Sequence, residues 1–388
     1  MHGENMGLGT LLSHFGEDEK VQGAVTPPIF QNSLFLFDTV DELFHAMAVT
    51  PEGPPYHYSR VSNPTVALAE NKIAAMEGAE GCKLLGSGMA AITLAVMSCV
   101  EAGSHAVVVD TCYGPLKSLL DEVLKRFGVT YTLVDGRDVD GVIDAIHPET
   151  TLVYLESPSS IVFRLQDIEA ITKVCRERGI TTAFDNTYNT PVFYNPIKHG
   201  IDIVCHSATK YMGGHSDITA GAICSDAKRI NRILRHELNY VGSMLHPFPA
   251  WLLTRGLRSL ALRMKRHEET GNTVANWIEQ RPEVELVNHI SLESFAQREL
   301  YLRMLGHSTG LFSFEPKVQE EARVKAFCNR LKLFGRGVSW GGFESLVVPI
   351  KVHALGMPEP RWTIRLFCGL EEPEDLIRDL QEAMVELG

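Results

Sequence analysis

Four short stretches carry residue types that could act on one small molecule. Ser207-Ala208-Thr209-Lys210 follows an apolar run that ends at His206. Asp185-Asn186-Thr187 closes a second such run, and Glu156-Ser157-Pro158 a third. Ser87-Gly88-Met89 stands where a short strand candidate gives way to a helical pattern. A lysine amine can condense with an aldehyde and be regenerated in each turnover. A carboxylate can keep a pyridine nitrogen protonated, which makes the ring an electron sink. The free N–H groups of a helix start, with the helix dipole behind them, meet a phosphate. The hydroxyls of Ser207 and Thr209 can add donors. The set therefore suits pyridoxal phosphate. Each element alone is weak, since a strand-end Asp is commonly a turn residue or cap and a lysine after a strand is usually solvated. Their joint occurrence at the ends of successive apolar runs carries the inference.

These residues meet only if the runs are neighbouring strands. The pattern predicts strands at 82–85, 106–110, 129–134, 151–156, 180–185, 202–206 and 220–224. Between them the spacing predicts helices. Asn63 caps a first helix with Pro64 at its start, Val66, Ala69, Ile73 and Met76 on one face and Gly78 as its stop. Residues 115–127 read as one amphipathic helix with Leu116, Leu119, Leu120, Val123, Leu124 and Phe127 on one face, ended by Gly128. Further helices are expected at 139–146 and 167–178. Continuous apolar strands between helices imply an α/β fold with a mostly parallel sheet covered on both faces. Ligands of such sheets bind outside the carboxyl ends of the strands. No Gly-x-Gly-x-x-Gly opens a helix after a strand, so a dinucleotide site has no support.

The flanks read differently. Residues 1–60 lack sustained periodicity and carry Pro27, Pro28, Pro51, Pro54 and Pro55. They are expected to form an arm without its own core, with one short helix near 40–49, lying on a partner subunit. Residues 61–250 form the cofactor-binding domain in this reading, and 251–388 a smaller α+β domain. The latter has a long helical stretch at 251–278 interrupted at Gly256 and Gly271. Strands follow at 311–314, 345–349 and 363–367, with helices at 319–331 and 373–387.

Composition narrows the class. A chain of 388 residues with 45% hydrophobic and 22% charged residues is an ordinary globular protein. A formal net charge of -12 without a basic block argues against nucleic acid or anionic membrane as partner. The longest apolar run, within 88–100, falls short of the roughly 20 residues that a membrane span needs. Residues 1–16 show no signal-peptide pattern. Eight cysteines without a Cys-x-x-Cys pair suggest reduced, buried thiols in a cytoplasmic protein and no metal site.

Ser207-Ala-Thr-Lys-Tyr-Met-Gly-Gly-His-Ser-Asp217 resembles the lysine motif of the cysteine and methionine metabolism family of pyridoxal-phosphate enzymes. That family includes cystathionine γ-synthases, cystathionine lyases and methionine γ-lyases. Tyr58-Ser-Arg-Val-Ser-Asn-Pro-Thr65, Ser87-Gly-Met-Ala-Ala91, Tyr113-Gly114, Glu156-Ser-Pro158, Phe184-Asp-Asn-Thr187 and Arg365-Leu-Phe-Cys-Gly-Leu-Glu371 extend the likeness in family order over almost the whole chain. The resemblance implies a fold type I architecture with a mostly parallel seven-stranded sheet sandwiched by helices. It implies Lys210 as Schiff-base lysine and acid/base, Asp185 as partner of the pyridinium nitrogen and Tyr113 as the ring that stacks on the cofactor. Gly88, Met89, Ser207 and Thr209 would cradle the phosphate. Tyr58 and Arg60 would come from the neighbouring subunit, Arg60 to the phosphate. Arg365 would pair with the substrate α-carboxylate, with Ser339 beside it. A homo-oligomer, most simply a tetramer built from dimers that share active sites, follows from the same likeness.

The choice of reaction rests on three departures. The common γ-enzyme pattern has Asn where this chain has Ser160, Glu where it has Val338, and Leu where it has Trp340. Glu156-Ser-Pro-Ser-Ser-Ile161 and Ser339-Trp-Gly-Gly-Phe-Glu-Ser345 are closer to the bacterial cystathionine β-lyase branch, whereas 58–65 is closer to the γ-enzymes. Pro115-Leu116 stands where methionine γ-lyases typically place Cys. The expected activity is thus a carbon–sulfur β-lyase on a small sulfur amino acid, L-cystathionine first, with γ-synthase or γ-lyase chemistry as the alternative. Ser160, Val338 and Trp340 are then substrate-side residues; the other reading of Val338 is a core side chain.

Overall fold

The computed structural model describes residues 6–18, 20–48 and 56–388, so Val49, Pro51, Pro54 and Pro55 of the expected arm lie outside the described residues. Seven strands form the first sheet: β1 (Gly81–Leu85), β2 (His105–Val109), β3 (Thr130–Val134), β4 (Thr150–Glu156), β5 (Thr181–Asp185), β6 (Ile203–His206) and β7 (Gly221–Ser225). Their order is β1-β7-β6-β5-β4-β2-β3. β2 to β6 run parallel to one another, and β7 runs against β6 and β1. Every residue of β2 and β7 is buried. Side chains alternate between faces along a strand, so both faces of the sheet are covered, as the apolar runs implied.

The local signals explain the helices that frame the site. Asn63 accepts a hydrogen bond from Thr65 N, Pro64 occupies the first turn, and Gly78 closes Pro64–Glu77 at φ 72°. Ser87 caps Gly88–Met97 by accepting from Ala90 N. The expected amphipathic helix at 115–127 is not uniform. It opens as Gly114–Ser118, widens into a π turn at Leu119–Val123 and tightens at Leu124–Phe127. A widened turn rotates the residues beyond it about the helix axis, and Val123 and Phe127 end up exposed while Leu116, Leu120 and Leu124 are buried.

A second sheet, β8 (Val284–Asn288), β9 (Leu311–Pro316), β10 (Gly335–Arg336), β11 (Leu346–Val352) and β12 (Arg361–Phe367), has the order β10-β11-β12-β9-β8. Helices Pro247–Arg258 and Leu260–Glu279 join the two sheets. The break falls at Ser259, and Gly256 and Gly271 lie inside helices instead of interrupting them. Both glycines allow close approach: a Cβ on Gly256 would run into the carbonyls of Met212 and Gly213, and one on Gly271 into that of Thr309.

The N-terminal segment departs from a coreless arm. Helix Leu8–His14 puts Leu11 and Leu12 into the core of the large sheet. Glu17 receives Lys72 at 3.0 Å and Arg258 at 2.9 Å. Beyond this anchor the described residues are held by a few polar contacts, such as Trp251 Nε1 to Pro27 O at 3.0 Å and Phe30 N to Thr65 Oγ1 at 2.9 Å, and bury little apolar surface. Helix Val40–Ala48 buries Ala46 alone, and Val25, Leu36, Val40, Phe44 and Met47 are exposed. All eight cysteines are unpaired, and seven are buried. Among the described residues no helix is long and apolar enough to cross a membrane.

Candidate active site

Lys210 sits in the turn after β6, and that turn is closed on itself. Thr209 N and Oγ1 donate to Ala220 O at 3.1 Å each, and Ala220 N donates to Thr209 Oγ1 at 2.9 Å. The Lys210 amine donates to Ser339 Oγ at 2.6 Å and lies 5.5 Å from the centre of the Trp340 ring. Burial, and after it the Arg365 charge, push its pKa down to about 8. A neutral amine is the form that attacks an aldehyde and takes a proton, so this lysine is prepared for both tasks near neutral pH.

Asp185 ends β5 and is buried. Its Oδ1 accepts from Thr187 N at 2.9 Å and from the Thr187 hydroxyl. That hydroxyl also accepts from Ser207 N at 2.8 Å. Thr187 thus ties the carboxylate to the lysine turn, a role that sequence reasoning missed although a hydroxyl two residues after a strand-end Asp is a known turn pattern. Burial pushes the Asp185 carboxyl up, while the Thr187 bonds, His206 and Lys210 pull the other way. A buried anion of this kind calls for a cation.

The helix start meets the same turn. A Cβ on Gly88 would lie 2.6 Å from Ser207 Cβ and Oγ, so only glycine lets the helix approach this closely. The first N–H groups, those of Gly88 and Met89, have no partner within the helix. Among the described residues Ser207 Oγ also has none. Three donors therefore converge without a protein acceptor, which fits a phosphate. The Thr209 hydroxyl is engaged with Ala220 and must turn to join them.

The small domain closes the site from the other side. Arg365 on β12 donates to Ser339 O at 2.9 Å. Burial lowers its pKa to about 10, and the Tyr113 phenol pulls it back up. Ser339 adopts φ 83°, a conformation that costs a non-glycine residue free energy and is retained mainly at functional positions. Gly341 comes two residues later at φ 88°; a Cβ there would sit 2.9 Å from Lys210 Cα and 2.6 Å from Tyr211 N. Trp340 packs edge-on against the buried Tyr211 at 5.3 Å. Val338 is 83% exposed, which rules out the reading of it as a core side chain.

Ser160 and Tyr113 are joined by a residue that the sequence marked only as part of a motif. Glu156, at the end of β4, accepts from Tyr113 N at 2.7 Å through Oε2 and from Ser160 Oγ at 2.7 Å through Oε1. Tyr58 and Arg60 are not brought to this cluster within the chain. Both are exposed; Arg60 stacks over Tyr58 at 5.5 Å and donates to Asn239.

Residues with an amine, a buried carboxylate, a triad of free donors and a guanidinium around one space fit pyridoxal phosphate and an amino acid. Comparison with known proteins agrees. Residues 9–385 match the family described as Cys/Met metabolism PLP-dependent enzyme. The chain is 37% identical to the L-methionine gamma-lyase of Pseudomonas putida, over 99% of each chain. It is 36% identical to a putative cystathionine beta-lyase of Rhizobium johnstonii, over 97% of this chain and 96% of that one. It superposes on the solved structure of metB from Corynebacterium glutamicum with TM-score 0.92 and 31% identity, each chain covered completely.

Proposed function

The chain belongs to the Cys/Met metabolism family of pyridoxal-phosphate-dependent enzymes, and on that premise we propose that it is a carbon–sulfur β-lyase acting on L-cystathionine. When bound, pyridoxal phosphate supplies the electron sink that lets a Cα proton leave. The Lys210 amine takes that proton, held ready by Ser339 Oγ. Asp185 keeps the ring nitrogen protonated. Gly88 N, Met89 N and Ser207 Oγ hold the phosphate, joined by Thr209. Tyr113 covers the ring, and Arg365 takes the α-carboxylate with its planar fork. Loss of the thiolate from Cβ, with a proton, would give homocysteine, and hydrolysis of the remaining three-carbon unit by one water would give pyruvate and ammonia.

The single observation behind β-cleavage is the segment that touches Lys210. Val338-Ser339-Trp340 presents no carboxylate beside Ser339, where one would orient a distal ammonium or a γ-leaving substrate. A second reading, γ-elimination, draws on the similarity to the L-methionine gamma-lyase of Pseudomonas putida. Product analysis separates the two. Purified enzyme with L-cystathionine is expected to release pyruvate in excess over 2-oxobutyrate. Mainly 2-oxobutyrate, or methanethiol from methionine at a comparable kcat/KM, overturns the β-lyase reading and leaves the family untouched.

The same reading includes a homo-oligomer with shared sites. Tyr58 and Arg60 are exposed and engaged away from their own Lys210, and the bare stretch around Leu36, Phe44 and Met47 offers an apolar surface to cover. Mixing Arg60→Ala subunits with Lys210→Ala subunits should restore part of the lost activity, because some hybrid sites combine both intact residues. An active monomer in sedimentation, or verified exchange with no recovery, refutes sharing.

A further inference from the structure

Glu156 and Asp185 are register partners on adjacent parallel strands. Such strands lie about 4.8 Å apart, and both side chains are buried. Two neighbouring carboxyl groups out of water do not both ionise unless a cation serves each. Of the neighbouring groups, His206 and then Lys210 pull the Asp185 pKa down, and the proposed function gives it the ring nitrogen as well. Two donors from Thr187 favour its charged form further. Among the described residues Glu156 has donors, from Tyr113 and Ser160, but no cation in hydrogen-bond contact. Around it, Cys112 and Tyr154 are held neutral by burial, and Lys117 donates to the backbone oxygen of Asp110 at 2.9 Å.

Its side-chain hydrogen bonds also say where a proton can reside; beside the two contacts below, the Ser160 N–H acts on the carboxyl as a further donor. Oε2 faces the N–H of Tyr113, an obligate donor, so a proton there would collide with it. Oε1 faces the Ser160 hydroxyl, which can accept as well as donate. We propose that Glu156 works as a neutral acid that donates from Oε1 to Ser160 Oγ and thereby fixes Ser160 as a hydrogen-bond donor toward the site. Independently of that geometry, burial and then the Asp185 charge raise the Glu156 pKa to about 8, against the pull of the Ser160 hydroxyl and of the Tyr113 and Ser160 N–H groups. The arrangement accounts for Ser160. Asparagine, common in the family at this place, carries N–H donors of its own, whereas a serine hydroxyl rotates freely and needs a neighbour to direct it. Glu156 is then a positioning residue, acting through Tyr113 and Ser160. The inference rests on the reading of Asp185 as partner of the ring nitrogen.

Infrared difference spectroscopy of the holoenzyme tests it, because the C=O stretch of a protonated carboxyl lies apart from the carboxylate bands. A protonated-acid band should be present at neutral pH, bleach with a midpoint near 8 and be absent from Glu156→Gln. Ser160→Ala should shift its frequency, since the acid loses its acceptor. Asp185→Asn should move the midpoint to lower pH, since a like charge is removed. If Glu156→Gln fails to fold, judged by near-ultraviolet circular dichroism, the Ser160→Ala shift and the wild-type titration decide alone. No acid band at neutral pH, a band that survives Glu156→Gln in folded protein, or one indifferent to Ser160→Ala overturns the proposal. An Asp185→Asn midpoint that stays in place refutes the like-charge argument. Borohydride trapping in the same samples separates the two readings: a cofactor fixed on a lysine other than 210 removes the functional reading, whatever the band does.

Discussion

Lys210→Ala is expected to abolish turnover while the protein still binds pyridoxal phosphate, more weakly than wild type. Loss of a positioned proton carrier costs about two to four decades in rate by itself. On the proposed function the same amine would also hold the cofactor, so the two losses would combine. Residual binding is expected because Gly88 N, Met89 N, Ser207 Oγ and Asp185 do not depend on the lysine. The fold should be unaffected, since the amine has one hydrogen bond, to Ser339, and alanine fits the turn that Thr209 and Ala220 close. Steady-state assays and cofactor titration of the purified variant check both halves. Turnover within tenfold of wild type, or borohydride labelling of a different lysine, removes Lys210 from its role.

Asp185→Asn is expected to lower kcat by about two to four decades. Taking away one partner of a buried, hydrogen-bonded charge pair costs about 3–5 kcal/mol, and about 1.4 kcal/mol is a factor of ten in rate. The amide still accepts from Thr187 N, so the loop from Asp185 to Ser207 should keep its path. It cannot hold a proton on the ring nitrogen by charge. That help develops as the Cα proton leaves, so the loss belongs in kcat more than in KM. Pre-steady-state deuterium isotope effects on the α-position should grow in the variant, because proton removal becomes the slow step. An unchanged kcat makes Asp185 a turn cap and nothing more.

Lys210, Asp185, Ser207 and Gly88 were legible in the sequence for one reason. Each stands at a boundary between an apolar run and a helix or turn, and in a parallel sheet those boundaries gather at one edge. The seven strands were legible likewise, because strands buried on both faces read as unbroken apolar runs. Features that depend on register or on rotation could not be read. Glu156 matters through its neighbour on β5 and through Tyr113 N, 43 positions away in the chain, and no local pattern announces either. The bond from Lys210 to Ser339 spans 129 positions. A π turn at 119–123 defeated the helical spacing of Val123 and Phe127. Gly256 and Gly271 read as interruptions because composition does not distinguish a helix break from a close approach. Leu11 and Leu12 were too few to show periodicity, yet they anchor the N-terminal segment in the main core.

The segment from Val338 to Gly341 places unequal demands on successive residues. A side chain on Gly341 would have to displace the backbone of Lys210 and Tyr211, and Ser339 holds both the lysine and the arginine. Val338, almost wholly exposed, is tied to neither. Replacements at exposed sites usually change stability by less than about 0.5 kcal/mol. Position 338 can therefore drift under weak selection, sampling apolar and acidic side chains next to a fixed catalytic frame. If the proposed role of this segment holds, a lineage could move between cleavage of one carbon–sulfur bond and another there without first passing through a form that fails to fold.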